Sequence, residues 1–122
     1  MMISTHILGL PRIGAQRELK FALEAFWQGD SSEAQLLAVA DGIKNDNWLR
    51  QIAAQQKFVT VGDFALYDQM LNQSLLLGVV PARFGFDVAD LSLSQTFALA
   101  RGNAAQPALE MTKWFDTNYH YL

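Results

Sequence analysis

The chain has 122 residues, 51% of them hydrophobic and 17% charged, a balance that excludes intrinsic disorder and suffices for one domain with its own core. Nine basic against twelve acidic residues give a net charge of −3, without the basic stripe that a sequence-independent nucleic-acid binder carries. The absence of cysteine excludes disulfides and thiolate metal ligands within the chain and fits a reducing compartment. The opening MMISTHILGLPRIG lacks the basic start and apolar core of a signal peptide. The longest apolar run, LLLGVVPA, is too short to span a bilayer. These features predict a soluble, cytoplasmic protein with neither a nucleic-acid nor a membrane partner.

In chain order, the apolar run over 7–10 ends at Pro11 and predicts a strand entering a loop. In RELKFALEAFWQG, Leu19, Ala22, Leu23 and Phe26 recur at helical spacing and Gly29 stops the run, predicting a helix over 16–28. Ser31 or Ser32 can cap the next helix, and Ser32 with Gln35 has the capping-box form. Leu36, Val39, Ala40 and Ile43 then make one apolar stripe, which blurs over 44–47 and resumes at Trp48, Ile52 and Ala53. A long helix over 32–56 is expected, with Asn45 as the candidate break.

FVTVGDF, over 58–64, combines β-branched and aromatic residues with Gly-Asp and reads as a buried strand running into a turn. A helix over 66–76 follows, then a loop, GVVPARFGF, whose Pro and two Gly forbid a regular helix. Ser92 with Gln95 opens a short helix that ends at Gly102; NAAQPA is a linker, and a last strand is expected over 117–121. Strands alternating with helices imply parallel βαβ units. About three strands fit the length, less than half of a (β/α)8 barrel, which takes about 250 residues. The expected fold class is therefore α/β: a helix-rich partial TIM barrel.

Several residues are candidates for chemistry. GAQRELK follows a predicted strand and opens a helix, where free N–H groups and the helix dipole favour an anion. Arg17 and Lys20, three apart, add positive charge to that end; alternatively they belong to a solvated face on which Lys20 pairs with Glu24. Asp63 lies just past the second predicted strand, either at a site-forming rim or as the cap of the next helix. His6 and His120 stand far apart, and no metal-ligand spacing is present. Lys113 sits among Met111, Trp114, Phe115 and Asp116, either holding an anionic ligand beside stacking rings or snorkelling out of a core.

Three stretches, HILGLPRIGAQRELKFALEAFW, VGDFALYDQMLNQSLLLGVVPARF and EMTKWFDTNYHY, together resemble the N-terminal region of the cobalamin-independent methionine synthase family. The stretch between the second and third is looser. The resemblance implies a 5-methyltetrahydropteroyltriglutamate–homocysteine methyltransferase built from two facing (β/α)8 barrels, the folate lying between them. It implies that Arg17, Glu18, Leu19 and Lys20 match a folate-contacting segment and that Lys113 matches a second folate contact. It places a zinc ion in the C-terminal barrel, on ligands this chain lacks.

On this reading residues 1–122 are a single, incomplete domain, a fragment or a truncated reading frame, inactive alone. Its partners are the folate, the missing C-terminal barrel and further copies of itself completing the open barrel. The alternative is a stand-alone, non-catalytic folate- or anion-binding or assembly module.

Overall fold

A computed structural model describes residues 4–114 and 118–121, with side chains from Ser4 to Met111. The chain divides into two compact units, Met1–Leu66 and Tyr67–Leu122.

The first unit holds α1 (Glu18–Gln28) and α2 (Glu33–Ala53), which pack on each other. Leu19 and Leu23 of α1, and Leu36, Ala40 and Ile43 of α2, are buried at spacings of three and four, as a helical stripe requires. The expected capping box forms: Gln35 N–H donates to Ser32 Oγ at 3.3 Å, and Ser32 N–H donates to Gln35 Oε1 at 2.7 Å. The expected long helix forms, and the candidate break at Asn45 does not occur: α2 runs unbroken. The inner stripe continues from Ile43 through Asn47 to Gln51, polar residues with partners inside the unit. Gln51 is only 2% exposed, and its amide answers both main-chain groups of Thr60. A stripe that turns polar but stays internally hydrogen-bonded looks broken to a hydrophobicity count and is continuous in space.

Neither of the first two predicted strands, 7–10 and 58–64, is a strand in the structure. The two segments nevertheless run parallel in a constant register. Lys57 Nζ donates to Ser4 Oγ, Thr60 Oγ1 donates to the Ile7 carbonyl, and Leu10 N–H donates to Asp63 Oδ2, each pair 53 residues apart. Side chains satisfy main-chain groups that a ladder would otherwise pair. The contacts keep a parallel offset, but without strands there the expected βαβ units and partial barrel are not formed among the described residues, which are helix-rich.

The second unit starts with α3 (Gln69–Leu76), capped by Asp68, whose Oδ2 accepts from Leu71 N–H at 2.7 Å. Two short 3₁₀ turns, Ala82–Phe84 and Val88–Asp90, occupy the expected loop region. α4 (Leu93–Arg101) begins at the predicted Ser92–Gln95 capping box and ends before Gly102. Leu71, Phe84, Leu99, Ala100 and Leu109 form the core, flanked by Tyr67, Leu75, Val80 and Phe86. Leu109 N–H donates to the Leu99 carbonyl at 2.8 Å, tying the linker back onto α4. β1 (Met111–Trp114) and β2 (Asn118–Tyr121) then pair antiparallel, Lys113 opposite Tyr119. The last strand lies where it was expected, but its partner is the adjacent segment in a hairpin rather than a parallel strand.

Candidate functional site

The predicted anion-binding segment stands at the start of α1, on a loop held at both ends. At its entry, the Arg12 guanidinium donates to the Leu66 carbonyl at 3.0 Å and Asn47 Nδ2 donates to the Pro11 carbonyl at 3.3 Å. At its exit, Arg17 N–H donates to the Gly14 carbonyl and Leu19 N–H to the Ile13 carbonyl, at 3.3 and 3.1 Å. Glu18 turns its carboxylate back, accepting from Gln16 N–H at 2.9 Å. Gly14 stands at φ +86°, a conformation that L side chains rarely adopt, and the Glu18 carboxylate packs against it.

Arg17 is the N-cap of α1, in the left-handed region at φ 66°, ψ 30°, with no side-chain cap. A non-glycine residue there stores about 1 kcal/mol or more of backbone strain. Its exposed guanidinium has no partner among the described residues. Lys20 follows the solvated-face alternative: its Nζ lies 3.5 Å from Glu24 Oε1 and 5.9 Å from the Phe21 ring centre. The pair is two-fifths exposed on each side, so screening leaves it worth only a few tenths of a kcal/mol, and Lys20 is readily redirected to another anion. Leu19 is fully buried, and its N–H is bonded to the Ile13 carbonyl within the loop.

A surface pocket of about 210 Å³ adjoins this segment. Leu10, Pro11 and Ile43 supply apolar wall, and Glu18, Asp46, Asn47 and Arg50 supply polar groups. Two carboxylates against one guanidinium make its lining net acidic, so the positive end of the segment is at Arg17 and Lys20 rather than in the pocket.

Lys113 lies in β1, in the second unit, and its side chain is outside the described residues. The same holds for the side chain of His120 in β2, while Phe115 and Asp116 lie outside the described residues altogether. His6 is exposed and meets Phe58 edge-on at 6.4 Å. Asp63 does not cap a helix, since Asp68 caps α3; it accepts from Leu10 N–H at 2.9 Å instead. Sequence reasoning missed Asn47, Gln51 and Thr60 as the groups that fix the segments around the loop. The only signal was polar residues at the stripe spacing of α2.

The family described as cobalamin-independent synthase, N-terminal domain, matches residues 4–122. The chain belongs to the cobalamin-independent methionine synthase family. It is 66% identical over 121 residues to the 5-methyltetrahydropteroyltriglutamate–homocysteine methyltransferase of Paraburkholderia phytofirmans, covering 99% of this chain and 16% of that protein. It is 64% identical to the protein of the same name from Paraburkholderia xenovorans and 57% identical to that of Neisseria meningitidis serogroup B, with the same coverage. This member of the methionine synthase family thus spans about one sixth of the length of the curated relatives it matches. The chain has no cysteine, and among the described residues no three His, Asp or Glu side chains converge. No helix among the described residues is long and apolar enough to cross a membrane.

Proposed function

We propose that this chain is the first portion of the N-terminal (β/α)8 barrel of a methyltransferase that moves the methyl group of 5-methyltetrahydropteroyltriglutamate to homocysteine, and that its own part is to hold the folate. The observation that carries this reading is the match of nearly the whole chain, at 66% identity, to a protein named for that reaction. The parallel register of the segments around 4–10 and 57–63 supports the barrel assignment.

In the reaction, the homocysteine sulfur forms a bond to the methyl carbon as the methyl–N5 bond of the folate breaks, and the electron pair stays on N5. This chain supplies neither the nucleophile nor a metal for it. Its contribution is positional: Arg17 and Lys20 pair with carboxylates of the γ-linked glutamate tail, Glu18 and Leu19 fix the segment that carries them, and Lys113 takes a further carboxylate. Arg17 is suited to a bidentate pair because its guanidinium has no competing partner among the described residues. Lys20 has only a weak, exposed pair to give up. Zinc belongs to the C-terminal barrel, the second partner of this chain, and the setting is cytoplasmic.

Calorimetry with folate triglutamate tests the reading. Binding by the 122-residue chain that weakens about tenfold in both Lys20→Ala and Lys113→Ala is expected, the size of losing one charge-assisted contact. Unchanged affinity in both variants would refute the assignment of the site. The chain alone is expected to show no methyl transfer to homocysteine with zinc present, and turnover would contradict that part.

A second reading, self-association into a homo-oligomer, is favoured by the apolar side chains left open on the parallel pair. Leu8 is 91% and Val61 65% exposed at matching register positions. A concentration-independent monomer in light scattering would rule it out.

A further inference from the structure

We infer that Asp63, to which the proposed folate site assigns no contact, is a positioning residue: a latch that sets the place and conformation of the Arg17–Lys20 segment. The inference rests on the folate-holding role proposed above for that segment. Four facts carry it. Asp63 Oδ2 accepts from Leu10 N–H at 2.9 Å, one residue before the loop begins. Gly9 stands at φ +142°, and any Cβ there would collide with the Asp63 carboxylate, so the close approach is built into the backbone. Thr60, three residues before Asp63, bonds the Ile7 carbonyl through its hydroxyl at 2.5 Å. Arg12, two residues after Leu10, bonds the carbonyl of Leu66, three residues after Asp63.

The segment 60–66 therefore grips 7–12 at three successive points, with Asp63 in the middle. Beyond 12 the loop is held by its own bonds, Leu19 N–H to Ile13 and Arg17 N–H to Gly14. Arg17 is kept in a left-handed conformation that its side chain disfavours, and such a conformation persists only where surrounding contacts determine it. Releasing Leu10 removes the middle of these three grips, leaves the loop entry on the Arg12 and Asn47 bonds alone, and lets Arg17 relax toward an ordinary backbone geometry. The guanidinium then loses its fixed aim. Asp63 touches no ligand in this account; it acts through the loop.

The test joins amide hydrogen exchange to calorimetry on the 122-residue chain. Asp63→Ala is expected to speed exchange about tenfold at Leu10, Arg17 and Leu19 while α2 and α4 stay at wild-type rates, as local opening requires. It is expected to weaken folate triglutamate binding about tenfold, and to add little in an Arg17→Ala background, since both changes remove one contact. Asp63→Asn retains an acceptor oxygen and is expected within about twofold of wild type in both readouts. Asp63→Glu, which keeps the charge but misplaces the oxygen, replaces Asp63→Ala if the latter does not fold.

Exchange that rises at Leu10 alone overturns the latch, as does an affinity loss fully additive with Arg17→Ala. Faster exchange at Arg17 and Leu19 in a chain whose wild type binds no triglutamate keeps the latch and refutes the folate reading, so the two failures are distinct.

Discussion

Replacing Gln51 by Leu removes the amide that joins α2 to the segment around Thr60 while nearly preserving side-chain volume. Gln51 is 2% exposed, and its Oε1 accepts from Thr60 N–H at 2.8 Å. Its Nε2 donates to the carbonyls of Thr60 and Asn47 at 3.3 and 3.4 Å. Leucine leaves Thr60 N–H without a partner in a half-buried place, costing about 1–2 kcal/mol, and the longer bond to its carbonyl adds about 0.5–1 kcal/mol. The Asn47 carbonyl keeps its helical bond and contributes little. The apolar gain from leucine offsets a small part, so the net loss is about 2 kcal/mol, or a fall of roughly 6–10 °C in the melting temperature of a domain this size.

Urea titration followed by circular dichroism measures it. Gln51→Glu sharpens the test. A buried carboxylate facing the Thr60 carbonyl is disfavoured, whereas its protonated form supplies an O–H donor, so burial raises its pKa in the folded chain. The variant is then relatively more stable at about pH 4 than at pH 7, losing stability as the pH rises through the ordinary carboxyl range toward that raised value. Gln51→Leu within about 0.5 kcal/mol of wild type, well under the cost of one unmet buried N–H, would refute the reasoning.

Further outcomes follow from the same geometry. Gly9→Ala places a methyl group against the Asp63 carboxylate and forces a left-handed φ on alanine, so a loss of about 2 kcal/mol or more is expected by urea titration. Ser32→Ala removes the acceptor for Gln35 N–H and is expected to cost about 1 kcal/mol, read as lower helicity and faster exchange in the first turn of α2. Arg17→Gly relieves the left-handed strain but gives the unfolded chain more freedom, so stability is expected to change by less than about 1 kcal/mol while triglutamate binding weakens about tenfold, the size of one lost contact. Leu19→Ala empties a fully buried position and is expected to cost about 2–4 kcal/mol in the same titration.

The helices were largely legible in the sequence because their signals are local. Both Ser–Gln capping boxes form where the three-residue spacing put them, and Gly29 and Gly102 stop α1 and α4. The continuity of α2 was hidden because Asn47 and Gln51 occupy inner-stripe positions, and their value depends on partners at Pro11 and Thr60 that no local window contains. The first two strands were misread for a related reason. β-branched residues at 58–64 suit a ladder, but Gln51, Asp63 and Thr60 satisfy main-chain groups there through side chains. Asp63 was ambiguous because a carboxylate after an extended run serves equally as a rim group or a helix cap; in the structure Asp68 takes the cap and Asp63 accepts from Leu10 N–H. Lys20 sits beside Glu24, as the four-residue spacing indicated, whereas the left-handed backbone of Arg17 has no sequence signature at all.

The role proposed for this chain is decided most directly by the affinity of the wild-type protein for folate carrying three glutamates against folate carrying one, measured by calorimetry at low and high salt. The tail-holding account predicts that triglutamate binds at least about tenfold tighter at low salt and that the advantage shrinks as salt screens the carboxylates. Equal affinity for the two forms at every salt concentration would contradict it.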